Sequence, residues 1–240
     1  MKNQTFRSKW QTQYDQKTQF FGWSRKPFYK IAENYLPDGA EIAIDIGAGN
    51  KGFAHFLSPD KSKKLHLLDG NPDTISELSK EFSNTHSYTA PDRLPFDDLS
   101  VAFVHCSHLI EHLGWQDLEK LLREMNRILK IDGVIVISTP MLCDAFFGEF
   151  SHVRPYYPEA IETQMVNGTL NSSIRDFTHK FERLELVYRY AELDPFEGIG
   201  STSPLFDKII QAGKWTLRRF GIKRFTKTGY TLVLAKKNRE

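Results

Sequence analysis

The 240-residue chain is poor in cysteine and has no long apolar run. Two cysteines, Cys106 and Cys143, are too few for a disulfide framework and argue against a small disulfide-stapled fold. A membrane-spanning helix needs about 18 or more consecutive apolar residues, and no such stretch occurs. The first residues also lack the apolar core of a signal peptide. Together these absences predict a protein of the reduced cytoplasm with no transmembrane segment.

The formal net charge of +2 hides a basic C-terminal region. Residues 208–240 contain ten Lys or Arg but a single acid, Glu240, so the rest of the chain is acidic. A solvated helix face is the simplest explanation of such a region. The alternative is contact with an anionic membrane surface or with RNA through residues 208–227.

Apolar runs alternate with helical patterns along most of the chain. Strands are predicted over 41–46, 64–69, 86–89, 101–106 and 133–138, and helices over 51–57, 72–82 and 115–130. Two closing strands follow over 183–191 and 229–236, with a basic amphipathic helix near 204–219 between them. This alternation predicts an α/β fold built on a parallel sheet with right-handed crossovers.

A glycine-containing turn follows the first predicted strand. Asp45 precedes Gly47 and Gly49, and a carboxylate beside such a turn disfavours a bound pyrophosphate but suits an ammonium group. Asp69 ends the next apolar run, where it can accept hydrogen bonds from a ribose diol. One acid for an ammonium group and one for a ribose indicate S-adenosylmethionine as the ligand.

Five segments in this order resemble the class I S-adenosylmethionine-dependent methyltransferases of type 11/23. They are Ile44–Gly49, Leu68–Asp69, Leu94–Ser100, His108–Leu113 and Leu129–Pro140. The resemblance implies a doubly wound, seven-stranded, mostly parallel Rossmann-like sheet whose last strand is antiparallel. It also implies a methyltransferase domain over residues 37–240, with an N-terminal helical cap over 1–36 and a substrate-side insertion at about 141–180.

The same resemblance implies the cofactor site. Gly47 and Gly49 would pass under the methionine part, and Asp69 would hold the ribose. The remaining cofactor-site candidates are Asp45, Ala48, Gly70, Asp92 and Cys106. The chain departs from the family at Ala90, where relatives carry an acid for the adenine, so Asp92 or a backbone carbonyl must substitute. Lys51 also replaces the third glycine of the family's loop, and Gly52 follows it.

Two other motifs fit parts of the same sequence. Residues 47–52 match the G-x-G-x-x-G pattern of dinucleotide-binding enzymes, but Asp45 counts against a bound pyrophosphate. His108 and His112 belong to an H-x-x-E-H pattern that binds zinc when it lies inside a helix. Because the motif here follows a strand and lacks an evident third ligand downstream, we expect a metal-free site in which Glu111 and His112 pin a loop.

Candidate catalytic residues are His152, after the fifth strand, and His108, near the cofactor edge, because imidazole removes a proton well near neutral pH. Arg154 is a candidate for binding a substrate anion, and Tyr156 and Tyr157 for lining its pocket. We therefore expect O-methylation of a small molecule or glycan. RNA methylation through the basic region is the alternative. An NAD-dependent oxidoreductase and a non-catalytic cofactor-binding partner subunit are less favoured, and the oligomeric state is left open.

Overall fold

The computed structural model describes residues 19–39, 42–143, 145–167, 180–193, 202–221 and 224–238. Within these ranges eight strands form one sheet in the order β1-β7-β8-β6-β5-β2-β3-β4. The strands are β1 (Gln19–Phe21), β2 (Ala43–Ile46), β3 (Leu65–Asp69), β4 (Thr85–Ser87), β5 (Val101–Ser107), β6 (Leu129–Pro140), β7 (Phe181–Leu193) and β8 (Arg224–Lys236). Strand β8 is antiparallel to both of its neighbours, and all other pairs are parallel. The predicted seven-stranded α/β fold is confirmed, and β1 adds a short strand at one edge.

Helices connect and flank these strands. They are α1 (Lys26–Tyr35), α2 (Gly52–Phe56), α3 (Pro59–Ser62), α4 (Pro72–Ser79), α5 (Trp115–Ile128), α6 (Pro158–Glu162) and α7 (Pro204–Arg219). Shorter helical turns cover Ile110–His112, Phe146–Gly148 and Thr163–Asn167. No helix among the described residues is both long and apolar enough to cross a membrane.

Two apolar cores lie on opposite faces of the sheet. Because side chains alternate along a strand, Ile44 and Ile46 join the core beneath α5, whereas Ala43 joins the core formed with α1 and α2. Helix α5 buries Leu121 and Met125, spaced so that both lie on one face of the helix. Because both faces of the sheet are covered, a ligand reaches it at the carboxyl ends of the strands, so we expect the functional residues in the loops there.

The structure differs from the sequence expectations in a few elements. Residues 19–21 form strand β1, where the N-terminal region was expected to be helical. Helix α5 ends at Ile128 and β6 begins directly at Leu129, earlier than predicted. The division at residue 36 and the insertion at about 141–180 stay predictions, and residues 1–18 and 168–179 lie outside the described ranges.

Candidate active site

The glycine turn after β2 is held against β3 by backbone hydrogen bonds. The amides of Gly47 and Ala48 both donate to the carbonyl of Leu68, at 2.8 and 3.0 Å. Gly47 and Gly49 have φ angles of +75° and +50°, in the left-handed region that glycine adopts without strain. The Asp69 carboxylate accepts from the Gly49 amide at 2.9 Å and, through its other oxygen, from the Asn71 amide at 2.9 Å. Asp69 therefore fixes the shape of the turn.

A cavity of about 370 Å³ opens beside this turn. Its walls come from the turn, from the start of α1 and from the loops after β5 and β6. The lining residues are Arg25, Tyr29, Asp45, Gly47, Ala48, Gly49, Asn50, Gly52, Phe53, His105, Ser107, His108, Glu111, His112, Glu149, Ser151 and His152. This volume lies within the range of small-molecule sites. The cavity brings both predicted catalytic histidines together with four predicted cofactor positions, Asp45, Gly47, Ala48 and Gly49.

Asp45 has a partner inside the protein. Strands β2 and β5 are adjacent and place Asp45 and His105 in register, so both side chains lie on one face of the sheet. His105 Nδ1 lies 2.7 Å from Asp45 Oδ1, and both residues are buried. The imidazole also lies against the Phe53 ring, with centroids 4.0 Å apart. The carboxylate thus has a neighbouring imidazole where a ligand's ammonium group was expected.

Glu111 connects the loop after β5 to the loop after β6. Its side chain is fully buried, and Oε2 accepts a hydrogen bond from Thr139 Oγ1 at 3.0 Å. Its backbone carbonyl accepts from the amides of Val153 and Arg154 at 2.9 and 3.2 Å. These contacts agree with the expected loop-pinning role of Glu111, and they draw His152 into the same cavity.

Three histidines surround the Glu111 carboxylate. His108 Nδ1 lies 3.2 Å and His152 Nε2 lies 4.0 Å from Glu111 Oε1. The His112 and His152 rings meet edge to face, with centroids 4.9 Å apart. His108 has a φ of +56°, and its amide donates to the Ser138 carbonyl at 2.8 Å. The turn at His108 therefore directs the chain away from β5 toward Glu111.

The charges in this cluster follow from burial and from these contacts. Burial lowers the pKa of His108 against the opposing influence of Glu111, so its imidazole is neutral at pH 7. Burial raises the pKa of Glu111, but the contacts with His108 and Thr139 outweigh that effect and the pKa is lowered. The cavity therefore contains an ionised carboxylate among imidazoles.

The other predicted site residues lie outside the lining of this cavity. Cys106 is fully buried in the core, and burial raises the pKa of its thiol. Tyr156 is buried and donates to the Leu113 carbonyl at 2.9 Å, and the Arg154 guanidinium lies 5.5 Å from the Tyr156 ring centroid. Tyr157 is exposed. Asp69 ends β3 and Gly70 follows it. Asp92 lies in the loop after β4, where Tyr88 Oη donates to its backbone carbonyl at 2.9 Å.

Sequence reasoning did not select several residues that line the cavity. Among them are Arg25 and Tyr29 around the start of α1, and Ser107 and Glu149 near the histidines. His105 could have been found, because an acid and a histidine at matching positions of neighbouring parallel strands must share a face. Arg25 and Tyr29 carry no such signal, because their place depends on how α1 packs.

Comparisons with known proteins agree with this architecture. Residues 44–137 match the family model described as a methyltransferase domain. The chain contains a methyltransferase domain. The match runs from β2 to β6 and includes the glycine turn, Asp69, His108 and Glu111, so the predicted family is confirmed.

Individual relatives resemble parts of the chain. A probable methyltransferase from Arabidopsis thaliana, PMT7, is 30% identical over 109 residues, covering 44% of this chain and 18% of the relative. An uncharacterized methyltransferase-like protein from Schizosaccharomyces pombe, C25B8.10, is 27% identical over 104 residues, covering 43% and 40%. The chain thus spans less than half the length of either curated relative. The crystal structure of a SAM-dependent methyltransferase from Archaeoglobus fulgidus is similar in fold, with a TM-score of 0.56, 24% identity, and coverage of 89% of this chain and 95% of that one.

Proposed function

We propose that this protein is an S-adenosylmethionine-dependent methyltransferase that acts on a hydroxyl group of a small molecule or glycan. One observation carries the proposal: a single cavity is lined both by the glycine turn of a methyltransferase domain and by a group of histidines. The similarity to a SAM-dependent enzyme of known structure supports the choice of cofactor. Methyl transfer requires donor and acceptor to be aligned, and one shared cavity suits that requirement.

The residues around the turn fit the methyl donor. Gly47 and Gly49 line the cavity and have no side chain of their own that would obstruct the methionine part. Asp69 uses each carboxylate oxygen for one backbone amide, and each oxygen keeps a lone pair for a ribose hydroxyl. Bound there, S-adenosylmethionine would supply an electrophilic methyl group on its sulfonium. Gly70, Asp92 and Cys106 remain candidates for the adenosine end.

The histidines fit an oxygen acceptor. A hydroxyl must lose its proton as it attacks, and a neutral imidazole near the methyl group can accept it. His152 Nδ1 lies 2.7 Å from the carbonyl of Phe146, which can only accept, so Nδ1 carries the hydrogen and Nε2 is the basic atom. His108 is the second candidate. Arg154, Tyr156 and Tyr157 are proposed to contact the acceptor from the loop after β6.

We also propose that helix α7 docks on an anionic membrane surface, where a lipid-linked acceptor could be reached. Leu205, Phe206 and Ile209 lie on one face of this helix and are 68%, 62% and 60% exposed. Lys208 and Arg219 lie on other faces of the same helix. Large exposed apolar side chains beside cations are typical of helices that lie in a membrane interface. RNA phosphates would pair with the Lys and Arg side chains of α7 but would leave its apolar face exposed to solvent.

Isothermal titration calorimetry tests the cofactor assignment. S-adenosylmethionine and its demethylated product should bind one per chain, whereas NADH should give no heat of binding. Transfer of a radiolabelled methyl group to a panel of alcohols, sugars and RNA would then identify the acceptor. Binding of NADH without binding of the methyl donor would refute the proposed function and favour an oxidoreductase.

A further inference from the structure

Glu111, His112 and His152 form a ligand set inside the candidate active site. One ligand atom from each residue lies within 4.8 Å of the ligand atoms of the other two. The expectation of a metal-free site rested on the lack of a third ligand near His108 and His112 in the sequence. The fold supplies that ligand, because the backbone hydrogen bonds of Glu111 bring the loop containing His152 alongside.

Both imidazoles are oriented as metal-binding histidines usually are. His112 Nδ1 lies 3.1 Å from the Ser151 carbonyl, and His152 Nδ1 lies 2.7 Å from the Phe146 carbonyl. A carbonyl oxygen only accepts, so each Nδ1 carries the hydrogen and each Nε2 presents a lone pair. Histidine ligands of metals almost always donate their other ring nitrogen to a carbonyl or carboxylate in this way.

The Glu111 carboxylate is also suited to bind a metal ion. Glu111 Oε2 accepts from Thr139 Oγ1, while Oε1 is buried, lies 3.2 Å from His108 Nδ1 and has no well-aligned hydrogen bond within the described part of the chain. A buried carboxylate oxygen without a well-aligned hydrogen bond is costly, and a cation removes that cost. Oε1 lies 4.0 Å from His152 Nε2, so a small adjustment of the side chains would let both bind one ion.

We propose that Glu111, His112 and His152 bind one divalent transition metal ion, with zinc as the best match. Two imidazoles and one carboxylate form the ligand set of many catalytic zinc sites, in which the remaining position stays open. Imidazole ligands disfavour magnesium and calcium, which prefer oxygen. The ligands line the same cavity as Gly47 and Gly49, so the ion would lie beside the methyl-donor site.

The role of the ion follows from its open coordination position and rests on the function proposed above. An acceptor hydroxyl bound there would ionise more easily, as water does on zinc. Its proton would pass to solvent, its oxygen would form a bond to the methyl carbon, and the bond between that carbon and sulfur would break. His152 would then be a metal ligand rather than the base, and the acceptor would be selected as an alcohol or sugar hydroxyl that can reach the ion.

Metal binding can be measured without any acceptor. The 240-residue protein is stripped with a chelator and titrated with Co²⁺ alone, whose visible absorption reports nitrogen and oxygen ligands. Bound Zn²⁺ is counted by elemental analysis after dialysis. We expect one ion per chain. His112→Ala and His152→Ala should each weaken Co²⁺ binding by about 100-fold or more. His86→Ala is the matched control, because His86 belongs to the separate pair with His66, at 2.9 Å, and should leave binding unchanged.

The results separate this inference from the proposed function. If S-adenosylmethionine binds to the metal-free protein but no ion binds, or if His152→Ala leaves Co²⁺ binding unchanged, the metal site is refuted and His152 remains the candidate base. If an ion binds at these residues but S-adenosylmethionine does not, the metal site is supported and the methyltransferase assignment fails. Circular dichroism of each variant excludes unfolding as the cause of lost binding.

Discussion

At the scale of single residues, Asp69 holds the glycine turn and is the proposed partner of the ribose. Its two oxygens accept from the amides of Gly49 and Asn71, so the carboxylate is fixed before any ligand arrives. A fixed acceptor loses little freedom when a ribose binds, and this preorganisation favours affinity. The same carboxylate also holds Gly49 in its left-handed conformation.

Replacing Asp69 should therefore weaken cofactor binding strongly. Asp69→Ala removes hydrogen bonds to a charged group, so we expect a loss of about 1.5–3 kcal/mol, or roughly 10- to 150-fold in Kd. Calorimetric titration with S-adenosylhomocysteine measures it. Asp60→Ala, at an exposed acid in α3, is the control and should bind normally. An unchanged Kd for Asp69→Ala would contradict the ribose role.

The sequence predicted single residues of the site better than their grouping. His108, His152 and the glycines were selected, and they line one cavity. The convergence of Glu111, His112 and His152 could not be predicted, because two loops far apart in the chain are joined by hydrogen bonds of the Glu111 backbone. Such contacts depend on backbone geometry and leave no pattern in residue type.

At the scale of elements, long segments with periodic apolar residues were predicted correctly, whereas a very short strand was missed. Helix α7 occupies Pro204–Arg219, the range expected from its amphipathic spacing. Strand β1 was missed because three residues are too few to show alternation, and its pairing partner, β7, lies far along the chain. The formation of β1 thus depends on pairing with a strand distant in the sequence, which the local sequence does not reveal.

A buried lysine joins the last strand to the helix before β6. Lys236 Nζ donates to the carbonyls of Asn126 and Leu129, and burial lowers its pKa to about 8, from an ordinary value near 10.5. Between these values the unfolded chain holds a proton that the folded chain has lost. The free energy of unfolding should therefore gain a contribution that rises with pH through this window.

The comparison with Lys236→Met isolates this contribution. Urea unfolding at pH 8, 9 and 10 should show the unmodified protein gaining stability relative to the variant, with a slope approaching one proton per chain. Lys237→Met is the control, because Lys237 is half-exposed and its pKa is raised by Glu182. A pH-independent difference between Lys236→Met and the unmodified protein would contradict the shifted pKa.

At the scale of the whole molecule, charge and exposed apolar surface coincide near the C-terminal end. The basic region from residue 208 onward includes most of α7, whose apolar face is exposed. Charge alone would leave membrane and RNA equally favoured. The apolar face favours the membrane, because burial of apolar side chains adds to electrostatic attraction only at a lipid interface.

Vesicle flotation should distinguish these partners. We expect the protein to float with vesicles of phosphatidylserine and phosphatidylcholine, less so at high salt, and not with phosphatidylcholine alone. A Phe206→Ser, Ile209→Ser double variant should lose several-fold in bound fraction, while Leu184→Ser, at an exposed apolar residue of β7, should not. RNA binding with a steep salt dependence, together with no flotation, would favour the RNA alternative.

The pairing of β1 with β7 also affects how the protein behaves when its chain is shortened. Residues 19–21 pair with Tyr188–Tyr190, and the Gly22 amide donates to the Tyr190 carbonyl at 2.9 Å. The opposite edge of β7 is already paired with β8. A chain that began after Gly22 would leave this stretch of β7 as an open edge, and open edges recruit strands from other molecules. We therefore expect a chain without residues 19–22 to self-associate more readily, which size-exclusion chromatography would measure.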